Sequence, residues 1–430
     1  MSTPAPTVSQ GAPGSGGPLL AGRPASYYVT GWRFGLLALA LAALLPLTKN
    51  PVLLSSAIAI GIYVLLALGL NIVVGYAGLL DLGYVAFFAI GSYTVAALTG
   101  GILQSSDRIT VVHIPQVSFW VLLPLAALLA GLFGVLLGAP TLRLRGDYLA
   151  IVTLGFGEIL PIVFQNVPWF FGQLGLSALR PADVPTPFGP ISFSQSNALS
   201  TMWLYYLTLG LVGIVILAVS SLRGSSLGRA WVAIREDETA AAASGVNLVN
   251  TKLLAFGLGA VTGGIAGALN ATYYQAIAPF PDFQFSISIT ILVMIVLGGI
   301  GSIPGVIVGA TLLRFLSVYI LPQVNNTVHS SPLVASPGAP LQFLSTFDFN
   351  TSSNLIYGLL LLIMILLRPQ GLIPNLRRQR ELQGIGASPE SSSAVGLLAL
   401  EEAGASEVVA DTPGTEEFTG AGSDAQGREG

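Results

Sequence analysis

The sequence predicts an all-α polytopic membrane protein of about ten transmembrane helices, some broken by Gly or Pro, with both termini cytoplasmic. Three observations carry that prediction. Of the 430 residues, 53% are hydrophobic and 9% charged, against roughly 25% charged in a soluble domain. The 17 Lys+Arg and 20 Asp+Glu are too few to coat a soluble chain of this length. Apolar runs long enough to cross about 30 Å of hydrocarbon recur along the chain.

The expected spans lie at about 30–47, 52–74, 79–99, 118–139, 147–167, 202–222, 252–274, 284–300, 304–322 and 353–367. The first follows a polar lead. It reads as an uncleaved helix, although its Leu-Ala-Leu-Ala run also resembles the apolar region of a signal peptide. Gly78, Gly83 and Gly91 interrupt the third, which also holds Asp81. The fifth contains Gly155, Gly157, Glu158 and Pro161. Such breaks survive in a bilayer only where neighbouring helices or a water-filled cavity satisfy the freed backbone groups. With ten spans and both ends inside, 13 of the 17 basic residues fall on the cytoplasmic side and three outside, with Arg314 within a span. That asymmetry is the positive-inside pattern.

Three regions follow. Residues 1–26 form a Pro/Gly/Ser/Ala-rich tail expected to be disordered, 27–376 a transmembrane domain, and 377–430 an acidic tail also expected to be disordered. Ten acids and one base lie in 381–430, so the remainder of the chain is basic, 16 to 10. The net charge of −3 gives no footprint for nucleic acid, and the absence of Cys excludes disulfides and thiolate chemistry.

No catalytic constellation is visible, and no enzyme activity, metal site or bound cofactor is expected. A phosphate-binding Gly-Lys-Ser/Thr is missing, since Lys49 and Lys252, the only lysines, each follow Thr. His113 and His329 fall in expected outer loops without a partner motif.

The chemistry-bearing feature is the inner loop at 223–250. It gathers Arg229, Arg235, Glu236, Asp237 and Glu238 ahead of four alanines, including Ala241, and then Gly245. Acids suit a helix start, alanine its body and glycine its stop, so a helix of about two turns is expected between 236 and 244. Its nearly bare face suits close approach by another protein.

That loop resembles the coupling loop of ATP-binding-cassette importer permeases. The stretch SLGRAWVAIREDETAAAASGVNLVNTKLLAF is similar to the branched-chain amino acid permease family, in its M-type subunit. So are LGLNIVVGYAGLLDLGYVAFFAIGSYTVAAL from Leu68, RLRGDYLAIVTLGFGEI from Arg143, SISITILVMIVLGGIGSIPGVIVGA from Ser286 and RPQGL from Arg368. The resemblance covers about 50–370. It implies translocation of branched-chain amino acids by alternating access across a bacterial or archaeal cytoplasmic membrane, driven by ATP used on partner subunits. Those partners are two ATPases, a second homologous permease and an extracytoplasmic substrate-binding protein, within membrane lipids. In the general importer motif a Glu stands six residues before the Gly; here Glu238 stands seven before Gly245, and Thr239 takes the expected place. The acidic role is then shared by Glu236, Asp237 and Glu238. Asp81 replaces a Ser expected in many relatives. Urea or a short amide is the alternative substrate, and an ion-coupled secondary transporter the alternative class.

Asn71, Asp81, Thr153, Glu158 and Arg314 are the candidates for the translocation path. A charge at mid-bilayer costs roughly 2.5–3.5 kcal/mol on insertion scales and needs a partner or cavity. Asp81 reads equally well as an interfacial group, and Arg314 is the candidate counter-charge for Glu158. Gly259, Gly263 and Gly267, and likewise Gly301, Gly305 and Gly309, recur every fourth residue. Each set is expected to form a smooth helix stripe that permits close packing and sliding.

Overall fold

The computed structural model describes residues 19–20, 23–24, 42–48, 50–104, 109–112, 117–141, 147–167, 175–177, 179, 183–186, 189–192, 198–330, 352–368 and 371–373. All belong to the first of two compact units, Met1–Asn375. The expected tails, apart from residues 19–20 and 23–24, and most of the first expected span lie outside these residues.

The other nine expected spans coincide with helices among the described residues. α1 (Pro51–Leu70) starts at Asn50, whose side chain accepts the Val52 and Leu53 N–H groups, and ends in a π-helical turn at Asn71–Tyr76. α2 is Val85–Thr99, α3 Phe119–Thr141, α4 Asp147–Asn166 and α5 Ala198–Gly224. Two short helices follow, α6 (Ser226–Glu236) and α7 (Glu238–Ala243). α8 (Leu248–Tyr274), α9 (Phe285–Gly298), α10 (Ile303–Phe315), α11 (Leu321–Ser330) and α12 (Ser353–Leu367) complete the set. Among the described residues six helices are long and apolar enough to cross a membrane, while α2, α9 and α12 are apolar but shorter.

Two expected boundaries move. The third span was read from 79, but α2 begins only at Val85, because Gly78 takes a left-handed φ of 71° and the chain turns through Asp81 and Gly83. The ninth was read as ending near 322, but a π-helical turn at Leu316–Ile320 carries α10 into α11 and on to Ser330.

α8 is the central helix and packs against α1, α2 and α3, while α1 also contacts α5 and α10. Its small residues set that position. A Cβ on Gly267 would lie 2.2 Å from the Phe88 carbonyl oxygen of α2, and one on Gly259 would meet Val73 and Gly69. Gly263 faces Tyr84 and Phe87. Gly259, Gly263 and Gly267 thus lie where α8 meets α1 and α2. The second expected stripe needs correction. Gly301 lies in the turn between α9 and α10 with φ 80°, while Gly305 and Gly309 approach the backbone of Gly298 and Met294 on α9. A side chain at 301 is disfavoured by the left-handed conformation, not by helix packing.

Polar groups along these contacts are shared. The Tyr84 hydroxyl donates to the Gly259 carbonyl at 2.9 Å and meets the Thr262 hydroxyl, and the Ser92 hydroxyl donates to the Gly267 carbonyl. At one end of the helices β1 (Gly101–Gln104) pairs antiparallel with β2 (Ile109–Val112) and with β3 (Leu176–Ser177). At the other end, the Leu372 and Ile373 N–H groups donate to the terminal carbonyls of Leu297 and Gly298 on α9. Large apolar side chains of α3, α4, α5 and α12 remain exposed, among them Leu128, Ile151, Ile214 and Leu366. An apolar exterior of that extent suits lipid or a partner subunit, not water.

Candidate functional site

The 223–250 segment folds as two short helices hinged at Asp237. Ser225 caps α6 through its hydroxyl, which accepts the Gly228 N–H. Trp231 and Ile234 turn inward, and the fully buried Trp231 indole donates to the Thr251 carbonyl at 2.8 Å. That bond pins α6 to the start of α8. At its other end, the Arg235 guanidinium donates to the Gly75 carbonyl in the π-helical turn of α1. Its stem runs so close to Gly78 that a Cβ there would lie 2.7 Å from the Arg235 Cγ.

The expected helix over 236–244 begins at Glu238. Asp237 is extended and caps α7, its carboxylate accepting the Thr239 N–H at 2.7 Å and the Ala240 N–H at 3.1 Å. The N–H groups of Ala240 and Thr239 hold its carboxyl below the usual range, so it stays ionised at neutral pH. The helix closes as a Schellman turn: Gly245, at φ 84°, donates to Ala242 and Val246 donates to Ala241.

The three acids expected to share one role do different things. Asp237 is a cap, and Glu236 ends α6 exposed. Glu238 pairs with Lys252 of α8 at 2.6 Å, with side-chain exposures of 35% and 5% respectively. Sequence reading gave Lys252 no part here. Its signal was its place as one of two lysines, inside the first turns of an apolar helix. Arg229 bonds locally, to the Gly224 carbonyl. Ala241 is buried, while Thr239, Ala240, Ala242 and Ala243 present small exposed side chains.

Glu238→Ala strands the Lys252 ammonium, 4% exposed as a residue, without its partner. For a pair half open to solvent we expect a loss of about 1–3 kcal/mol, between the surface and buried limits. Thermal unfolding of Glu238→Ala, Lys252→Met and the double variant checks this; additive losses in the cycle exclude the coupling.

The path candidates separate. Asn71 is buried and accepts the Gly301 N–H at 2.9 Å, tying the π-helical turn to the α9–α10 turn. Arg314 does not meet Glu158. Its guanidinium stands 4.0 Å over the Tyr63 ring, with Tyr274 and Tyr357 nearby, because aromatic faces and hydroxyls supply its electrostatic partners within the bundle. Glu158 is exposed on α4, and among the described residues it forms no ion pair. Asp81 and Thr153 come together: the Leu82 N–H donates to the Thr153 hydroxyl, and the Gly83 N–H to Asp81 Oδ1 at 2.9 Å. Gly83 is pressed against Thr153 and Gly157 of α4. A cavity of about 420 Å³ opens beside this junction, lined by Asp81, Thr153 and apolar side chains.

Residues 52–366 match the family model described as the branched-chain amino acid transport system permease component. The chain is 38% identical over 349 residues to the high-affinity branched-chain amino acid transport system permease protein LivM of Salmonella typhimurium, covering 77% of this chain and 72% of that one. The Escherichia coli LivM matches to the same extent. The probable LivM of Methanocaldococcus jannaschii is 25% identical, over 73% of this chain and 91% of its own. Escherichia coli LivH, a second permease protein, is 26% identical over 63% of this chain and 87% of its own length. No solved structure matches. The chain belongs to the branched-chain amino acid transport permease family.

Proposed function

We propose that the chain is the M-type permease subunit of an ATP-binding-cassette importer that carries branched-chain amino acids across a bacterial or archaeal cytoplasmic membrane. The observation that carries this is the family match, which spans both the membrane helices and the 223–250 segment. The substrate class rests on the relatives' names, transferred at 38% identity. The partners are two ATPases, a second homologous permease of the LivH kind and an extracytoplasmic binding protein. ATP is used on the ATPases and not by this chain.

In this reading α6 and α7 lie on the cytoplasmic side with both termini, and the exposed small residues of α7 meet the ATPase. Pinned by Trp231, Arg235 and the Glu238–Lys252 pair, the two helices transmit ATPase closure to α1 and α8. The path runs along α4, whose buried face carries Thr153 beside Asp81 and whose exposed face carries Glu158. A mid-bilayer carboxylate on an exposed helix face belongs against protein or water, not lipid.

The test is uptake of radiolabelled leucine by proteoliposomes holding both permeases and the ATPases, with binding protein outside on one face and ATP on the other. ATP-dependent uptake of leucine, isoleucine or valine, uncontested by excess urea, is expected. Uptake driven by a sodium or proton gradient without ATP overturns the reading in favour of a secondary transporter.

A further inference from the structure

α4 has two unlike faces. Leu149, Thr153, Gly157, Leu160 and Phe164 are buried on the side that packs on α2, α3 and α9. Ile151, Val152, Glu158, Ile159 and Ile162 are exposed, and their three- and four-residue spacing puts them on one opposite face. Glu158 stands roughly midway along the 20 residues of α4. The other helices with exposed apolar faces carry no such group. α3 and α12 contain no Asp, Glu, Lys or Arg, and α5 holds one, Arg223, in its last turn. Those faces suit lipid. The face of α4 does not, because hydrocarbon offers a mid-bilayer carboxylate no donor. One turn before Glu158 the helix is bare, since a Cβ on Gly155 would meet nothing within 4 Å. A recess of about 420 Å³ between α3 and α4 reaches the same face, bordered by exposed Pro140, Val152 and Ile159.

We propose that this face of α4 docks a helix of the second, homologous permease, which brings an N–H or O–H donor to the Glu158 carboxylate and an apolar side chain to the recess. The proposal rests on the importer reading, which supplies that subunit. Charge complementarity selects it over a second copy of this chain. Across a two-fold axis on this face, a second copy would set Glu158 against its own counterpart, carboxylate to carboxylate. A homologous chain keeps the two-fold arrangement of helices while changing the residue that Glu158 meets. Gly155 lets the two backbones approach closely, as small residues do at contacts between membrane helices.

The experiment uses the full complex of both permeases and the ATPases. The photoreactive residue p-benzoylphenylalanine is placed at Ile159 or Ile162 on α4, or at exposed Ile214 on α5 as a control. Adducts formed under ultraviolet light are identified by mass spectrometry. Adducts to the second permease from 159 and 162, and none from 214, are expected. Adducts to lipid alone or to a second copy of this chain overturn the proposal. Glu158→Ala should lower the adduct yield from 162 about tenfold, the scale of a hydrogen bond between membrane helices. Glu158→Gln should recover part of it, because a carboxamide oxygen still accepts. Gly155→Phe should lower the yield with Glu158 intact. Glu158→Ala that reduces uptake but leaves the adduct yield unchanged makes the residue part of the path only and overturns the proposal. If Glu158→Ala does not reach the membrane, Gly155→Phe and the adducts of the Glu158 chain decide alone. A complex that takes up leucine with ATP while 159 and 162 label only lipid defeats the docking surface alone. A complex with no ATP-driven uptake defeats the importer reading and the surface with it.

Discussion

Arg235→Met is expected to abolish ATP-driven leucine uptake while leaving the subunit in the membrane and bound to its ATPase. Arg235 sits in the last turn of α6, outside the exposed small-residue face of α7, so its loss does not remove the contact surface. It does remove the guanidinium that holds the Gly75 carbonyl, in the π-helical turn where α1 ends. That carbonyl belongs to a turn whose hydrogen bonding is already widened, and such turns recur at functional sites. The stem matters as well, because Gly78 has no side chain where Arg235 passes. In the proposed importer, a push on α6 and α7 reaches the end of α1 through the Arg235–Gly75 bond. The measurement is leucine transported per ATP hydrolysed in proteoliposomes. We expect that ratio to fall at least tenfold with ATPase activity retained; an unchanged ratio rules out Arg235 as the link. Arg235→Lys is expected to restore little, because an ammonium lacks the planar guanidinium fork.

The chain's sequence declares what is local and conceals what is distant. Apolar runs predict nine of the described helices because a bilayer demands about 20 such residues per crossing. α7 is legible for a similar reason: its cap, body and stop are neighbours, from Asp237 through Ala241 to Gly245. Arg235 and Gly75 are 160 positions apart, and Asp81 meets α4 near Thr153, some 70 positions on. No periodicity connects such pairs. Arg314 misled for a physical reason. The expectation of a carboxylate partner followed from charge alone, while the bundle supplies the Tyr63 ring. The four-residue repeat misled at Gly301, because spacing cannot distinguish a helix stripe from a left-handed turn.

Gly267→Leu is expected to cost about 3 kcal/mol or more, beyond most core overpacking changes. The reason is the identity of the opposing atoms. A Cβ at 267 would lie 2.2 Å from the Phe88 carbonyl oxygen, 2.7 Å from the Ser92 nitrogen and 3.0 Å from the Gly91 carbonyl carbon, all backbone. No rotamer change on α2 relieves such a contact, so α2 and α8 must separate. Separation also strains the Ser92–Gly267 hydrogen bond and the Tyr84 contacts with Gly259 and Thr262 on the same seam. In a membrane those losses are not offset by water, and small residues at helix contacts supply much of the packing energy. Gly210→Leu on α5 is the matched control, since nothing lies within 4 Å of its Cβ. Thermal stability in detergent and yield in the membrane fraction should fall sharply for Gly267→Leu and stay near wild type for Gly210→Leu. Equal stability of the two would mean that the α2–α8 seam yields as a flexible surface does, and that α8 is not the rigid post against which the 223–250 segment moves α1.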